Sequence, residues 1–114
     1  MCTQTQAISI MHEVYSACNP IFAGTLIEGY LYGSYARGDY HAESDVDILL
    51  TVDLPPEELC EYRRAVAEVS SDLSLKHDIT ISVAVKSFAQ FEMYKADLPY
   101  YQNVLREGIR YGVS

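Results

Sequence analysis

The segment that most constrains the fold is DVDILLTV, residues 45–52. Its run of branched apolar residues is typical of a buried β-strand, and the proline pair that follows it ends the strand. Because alternate residues of a strand point to the same side, Asp45 and Asp47 are predicted to share one face, and Val46 and Ile48 the other. The chain must therefore supply neighbouring strands for the apolar face. It must also account for two carboxylates whose Cα atoms lie about 6.5–7 Å apart.

Two more segments predict strands that could pair with this one. Residues 25–34 are rich in β-branched and aromatic residues, and residues 78–85 alternate between polar and apolar. The second of these segments is predicted to place its large apolar side chains on one face: Ile79, Ile81, Val83 and Val85.

Helical spacing of apolar residues predicts a first helix over residues 5–18. The Asn19-Pro20 pair should stop it, because a residue before proline is pushed out of the helical conformation. The Pro55-Pro56 pair is predicted to start a second helix. That helix carries a stripe of apolar residues that should pack on the sheet: Leu59, Tyr62, Val66, Val69 and Leu73.

Two shorter helices are predicted farther along. Ser87 and Gln90 form a capping-box pattern that opens one, and Pro99 opens another that ends at Gly108. The order α-β-β-α-β-α predicts an α/β (α+β) fold, with a single mixed sheet of about three to four strands and flanking helices. Residues 1–114 are expected to form one domain.

The charge of the chain is acidic and unevenly distributed. The formal net charge is −8, and Arg37 is the one basic residue among residues 1–62. Strong binding to a nucleic-acid backbone requires clustered Lys and Arg, so nucleic acid is not expected as a main partner. A basic protein partner or metal ions would match the negative electrostatic potential of this half of the chain better. The acidic residues of this half are Glu13, Glu28, Asp39, Glu43, Asp45, Asp47, Asp53, Glu57, Glu58 and Glu61.

Three cysteines, Cys2, Cys18 and Cys60, give neither a disulfide framework nor a zinc-binding spacing. Reduced thiols and the lack of a signal-peptide pattern or a membrane-length apolar run predict a cytoplasmic protein.

The Asp45-x-Asp47 pair has two interpretations. Two neighbouring carboxylates repel, and a divalent cation between them removes the repulsion. Mg²⁺ prefers one or two carboxylates together with water and substrate phosphates, so the pair suggests a metal that binds with a nucleotide. The alternative is a pair of solvated acids at the edge of a sheet, which is the commoner case for an isolated pair.

Residues earlier in the chain favour the metal site. Gly33 would let a ligand approach the backbone closely, and Ser34 offers a hydroxyl and an N–H to phosphate oxygens. If the two strands pair as a hairpin, Ser34 comes close to Asp45. Arg37 suits phosphate oxygens as well, although it could instead be a surface arginine that pairs with Asp39.

Together these residues resemble the minimal nucleotidyltransferases of the DNA polymerase beta superfamily, whose signature is Gly-Ser, ten residues, then Asp-x-Asp. The positions that carry the resemblance are Gly33, Ser34, Ala36, Arg37, Gly38, Ser44, Asp45 and Asp47.

The resemblance implies transfer of a nucleotidyl group, most often AMP from ATP, to a hydroxyl group with two Mg²⁺ ions. It implies that Asp45 and Asp47 hold the metals and that Ser34 and the backbone near Gly33 hold the terminal phosphates. A third carboxylate usually follows on an adjacent strand, and Asp78 is the candidate for metal binding and catalysis. Asp78 could instead be an aspartate of a helix-to-strand turn, and a shift of one residue would turn it away.

Minimal family members are commonly paired with a small helical HEPN-type toxin, on which some transfer AMP to a tyrosine. The resemblance therefore implies an antitoxin role with a toxin partner. Two alternatives remain: a non-catalytic module that neutralises a toxin by binding, and transfer to a small molecule. A homo-oligomer is also left open.

Overall fold

The computed structural model describes residues 2–112, in which four strands form one mixed sheet. The strand order is β3-β2-β1-β4, with β1 antiparallel to both β2 and β4, and β2 parallel to β3. The strands are β1 (Leu26–Tyr32), β2 (Val46–Val52), β3 (Ile81–Ser87) and β4 (Ile109–Gly112). The mixed sheet with flanking helices confirms the predicted fold class.

The helices are α1 (Gln4–Phe22), α2 (Ser34–Arg37), α3 (Arg63–His77), α4 (Phe88–Tyr94) and α5 (Pro99–Glu107). A 3-10 helix (Pro56–Tyr62) precedes α3. Ser87 caps α4 by accepting from the Gln90 N–H, and α5 ends at Gly108, as predicted. The last strand, β4, was not predicted, because four residues bounded by glycines carry too little alternation to stand out.

Two helix boundaries differ from the prediction. Helix α1 continues through Pro20 to Phe22, because a proline in an exposed last turn removes only one hydrogen bond while Phe22 is buried against Tyr62. The segment after the proline pair is first a 3-10 helix, and the α-helix begins only at Arg63. The predicted stripe nevertheless packs on the core, with Val66 fully within it.

The sheet is covered on both faces. Val46, Ile48 and Ile81 point to the α1 and α3 side and belong to the larger core cluster. Their neighbours on the other face, among them Tyr30 and Leu49, pack against buried side chains of α4 and α5: Phe91, Tyr101 and Val104. Strand alternation therefore directs Asp47 to the α4 and α5 face.

None of the helices among residues 2–112 is long and apolar enough to span a bilayer.

Candidate active site

The connection between β1 and β2 begins with a turn that requires glycine. Gly33 has φ 76° and ψ −155°, a region of backbone space open essentially to glycine alone. Its carbonyl accepts hydrogen bonds from the N–H groups of Ala36 and Arg37, both at 3.1 Å, which forms the single turn of α2. The N–H groups of Ser34 and Tyr35 lie in the first turn, where a helix offers them no partner.

Asp47 lies directly against this turn. Tyr32 pairs with Asp47 in the β1–β2 ladder, so the end of β1 stands beside the start of β2. A Cβ atom at position 33 would lie 2.5 Å from the Asp47 Oδ2 atom. The two strands pair as the antiparallel hairpin considered in the sequence analysis, and this pairing brings Gly33 into contact with Asp47, with Ser34 next to Gly33 in the chain.

The two motif carboxylates lie at the start of β2. Asp47 is half-buried, whereas Asp45, which immediately precedes the strand, is exposed. Partial burial raises the pKa of Asp47, the negative charge of Asp45 raises this pKa further, and Arg37 acts in the opposite direction. The Ser44 hydroxyl accepts from the His41 N–H at 2.9 Å and orders the turn before Asp45. A cation between the carboxylates would relieve their repulsion.

The donor set at this point fits a divalent cation that arrives with phosphate. Two carboxylates, one in β2 and one immediately before it, lie beside a glycine turn. Mg²⁺ prefers one or two carboxylates together with water and phosphate oxygens. Among residues 2–112, however, no group of three His, Cys, Asp or Glu side chains could hold a metal ion.

Asp78 does not join the pair, and its predicted position on a strand was wrong. Strand β3 begins only at Ile81, and Asp78 ends α3 in a left-handed conformation with φ 52°. It lines a cavity of about 420 Å³ with Gln6 and Ser9 of α1, on the sheet face opposite to Asp47. Asp78 is therefore the aspartate of a helix-to-strand turn, which was the alternative interpretation. The end of α3 needs a residue in the left-handed conformation for the chain to turn toward β3.

Arg37 is engaged by carboxylates of its own chain. Its guanidinium pairs with Asp39 at 3.2 Å and with Glu107 of α5 at 3.1 Å. The structure therefore contains the Arg37–Asp39 pair that the sequence analysis gave as the alternative to phosphate binding. Contact with phosphate would require Arg37 to leave at least one of these partners.

The sequence analysis assigned no role in the site to three residues that lie beside it: Tyr32, Tyr100 and Ser82. The Tyr32 and Tyr100 hydroxyls are 2.9 Å apart, and burial, together with the Tyr100 bond and the Asp47 charge, raises the pKa of Tyr32. On the other side of Asp47, the ladder places Ser82 of β3. The alternation of Ser82 with Ile81 and Val83 predicts that Ser82 points away from the core. Which residue of β2 it pairs with depends on the strand register, which the sequence does not give.

The family described as “Nucleotidyltransferase domain” matches residues 22–111. “Putative protein adenylyltransferase MJ0604” of Methanocaldococcus jannaschii is 35% identical over 96 residues, which cover 84% of this chain and 88% of the relative.

Two solved structures share the fold. The “Crystal structure of a putative nucleotidyltransferase from Sulfolobus solfataricus” has a TM-score of 0.63 at 19% identity, covering 97% of this chain and 88% of that chain. The “Crystal structure of the toxin-antitoxin with AMP-PNP” has a TM-score of 0.56 at 18% identity, covering 97% and 74%.

Proposed function

Because the chain belongs to the nucleotidyltransferase domain family, we propose that it transfers AMP from ATP to a hydroxyl group of a partner protein in a toxin–antitoxin pair. The enzyme class follows from the family. The nucleotide, the metal, the acceptor and the partner are the proposal.

The observation that carries the proposal is the contact between Gly33 and Asp47. The Asp47 carboxylate lies against the Cα of Gly33, so a metal ligand and a turn of glycine backbone, to which a phosphate can approach closely, stand side by side. Asp45 and Asp47 would hold Mg²⁺, and the first turn of α2 with the Ser34 hydroxyl would contact the terminal phosphates. Bound Mg²⁺ would neutralise phosphate charge during transfer.

The transfer itself exchanges one phosphorus–oxygen bond for another. The acceptor oxygen bonds to the α-phosphorus, the bond from that phosphorus to the oxygen shared with the β-phosphate breaks, and pyrophosphate leaves. The acceptor's hydroxyl proton passes to water. The residues of this chain contribute position and charge neutralisation, and no covalent intermediate with the protein is needed.

Three observations support a protein acceptor that is a toxin. The curated relative is named as a protein adenylyltransferase, and one solved structure with the same fold is a toxin–antitoxin complex crystallised with AMP-PNP. The net charge of −8 favours a basic protein surface as the partner. We propose a small helical HEPN-type toxin as that partner.

The second candidate function is neutralisation by binding alone. It is favoured by one observation, the lack of a group of three acidic ligands among the described residues 2–112. In this case the fold and its acidic surface would hold the toxin, with nucleotide bound but not transferred.

The test is a labelling assay with α-labelled ATP, Mg²⁺ and the product of the adjacent gene. We expect label on the partner, and we expect Asp47→Ala to lower labelling by at least about 100-fold, since a metal ligand is lost. Asp72→Ala, which removes an exposed carboxylate of α3, is the matched control and should leave labelling unchanged. Tight binding of the partner without label in the wild type would establish the binding module instead.

A further inference from the structure

The sheet register identifies the position on β3 that faces the motif. In the parallel ladder, Val46 pairs with Ile81 and Asp47 pairs with Ser82. Because Val46 and Ile81 are both buried on the α1 side, Asp47 and Ser82 both point to the opposite face. Neighbouring strands lie about 4.8 Å apart, so Ser82 is the β3 side chain nearest to the Asp47 carboxylate.

The groups that flank Asp47 within the sheet carry no charge. Tyr32 pairs with it on β1, and Ser82 pairs with it on β3. The nearest acidic residue along the chain is Asp45, immediately before β2. Among residues 2–112, no third acidic or imidazole ligand joins these two carboxylates. Ser82 is exposed and lies on an edge strand, so the space beside it is open to solvent.

The charge at this site suits one ion better than two. Two divalent cations about 3.5–4 Å apart repel strongly, and two-metal sites hold them with several shared carboxylates. One Mg²⁺ is satisfied by one or two carboxylates plus phosphate oxygens and water. A serine hydroxyl adds a neutral oxygen but no compensating charge.

We propose that the side chains of this chain hold a single divalent cation with the nucleotide, and that Ser82 occupies the position from which a carboxylate would bind a second. This inference rests on the proposed nucleotide site at Asp45 and Asp47. It makes weak binding of the second ion the step that limits transfer. Replacing Ser82 by an acidic residue is then expected to complete the site rather than to damage it.

The experiment counts Mn²⁺ bound per chain in the presence of a non-hydrolysable ATP analogue, by electron paramagnetic resonance and equilibrium dialysis. We expect one tightly bound Mn²⁺ in the wild-type protein and two in Ser82→Asp, with the second bound at least about tenfold more tightly than in the wild type. Ser82→Asn has the same shape as the aspartate variant without its charge, and it should still bind one. Ser82→Glu is the second acidic variant, should the aspartate variant fold poorly.

Thermal unfolding gives a readout that does not depend on catalysis. Without metal, Ser82→Asp should unfold at a lower temperature than Ser82→Asn, because its carboxylate lies beside Asp47. With Mn²⁺ and the analogue, this order should reverse, since a second bound ion stabilises the native state.

The outcomes separate this inference from the proposed function. Two tight Mn²⁺ ions in the wild type, or a single ion in both acidic variants, would overturn the role of Ser82 while leaving nucleotide binding intact. If neither the wild type nor the variants bind Mn²⁺ with the analogue, the proposed nucleotide site fails and this inference fails with it.

Discussion

The Asp47 carboxylate lies against the Cα atom of Gly33, so closely that a Cβ at position 33 would come within 2.5 Å of Oδ2. This contact joins the end of β1 to the start of β2 and gives the turn two independent requirements for glycine. One is the positive φ of 76°, and the other is the space that the carboxylate occupies.

Gly33→Ala is expected to destabilise the fold by about 1–3 kcal/mol, because the backbone conformation is open essentially to glycine alone. It should also abolish binding of Mn²⁺ with an ATP analogue, because the methyl group displaces Asp47. Gly38→Ala is the matched control: its φ is 91°, but nothing lies within 4 Å of the added Cβ. Urea unfolding and metal binding measure the two effects. The contact argument fails if Gly38→Ala loses metal binding equally.

Asp47→Asn should stabilise the metal-free protein at neutral pH. The pKa of Asp47 is raised by burial and by Asp45, so ionised Asp47 destabilises the native state above this raised pKa. The penalty disappears as the pH falls toward the ordinary Asp pKa of about 4. Asp45→Asn removes the neighbouring charge and should act in the same direction, while abolishing transfer.

Urea midpoints in EDTA between pH 4 and pH 7 measure this effect. The stability advantage of Asp47→Asn over the wild type should be largest at pH 7 and vanish near pH 4. Added Mg²⁺ with nucleotide should stabilise only the wild type. A sharp loss of metal-free stability in either variant would contradict the repulsion argument.

Glu107 forms a 3.1 Å ion pair with Arg37, and both side chains are partly exposed to solvent. Glu107→Gln should therefore change the stability of the fold little. If Arg37 binds phosphate, freeing it should tighten binding of the ATP analogue by about two- to fivefold, and Arg37→Gln should weaken it. Arg106→Gln, on the same helix, is the control. Unchanged affinity in Arg37→Gln would remove Arg37 from the site.

Asp78→Asn tests the residue that the family resemblance made the candidate for the third carboxylate. Asparagine tolerates the left-handed conformation that Asp78 adopts, so the variant should fold normally. Because Asp78 lies on the α1 side of the sheet, we expect labelling of the partner within about twofold of the wild type. A loss comparable to that of Asp47→Ala would restore Asp78 to the catalytic site.

The buried Glu28 depends on Arg110 of β4. The two side chains form a 2.7 Å ion pair in which the Glu28 side chain is only 5% exposed. Arg110→Ala leaves this carboxylate without its cation and should cost about 2 kcal/mol, less than for a fully buried pair because Arg110 is half-exposed. Arg64→Ala, which breaks an exposed i,i+4 pair, should cost under about 0.5 kcal/mol. Equal losses in urea unfolding would show that Glu28 does not need Arg110.

The sequence by itself determined the local part of the site. The spacing of Gly33, Ser34, Asp45 and Asp47 identified the family resemblance, and strand periodicity predicted that both carboxylates share one face. These features are set by neighbours in the chain: a glycine that permits a tight turn, a short hairpin connection, and alternation along one strand. The same local rules predicted the mixed sheet and most of the helices.

Only the tertiary structure decided which residue of β3 stands beside Asp47. The register of this parallel strand is set by burial of Ile81 and Val83 in a core to which α1, distant in sequence, contributes. Because β3 starts three residues later than predicted, the residue that pairs with Asp47 is Ser82 and not Asp78. The Arg37 and Glu107 ion pair and the Tyr32 and Tyr100 hydroxyl pair also join segments about 70 residues apart. Such contacts depend on how α5 packs on the sheet, and no local pattern specifies that packing.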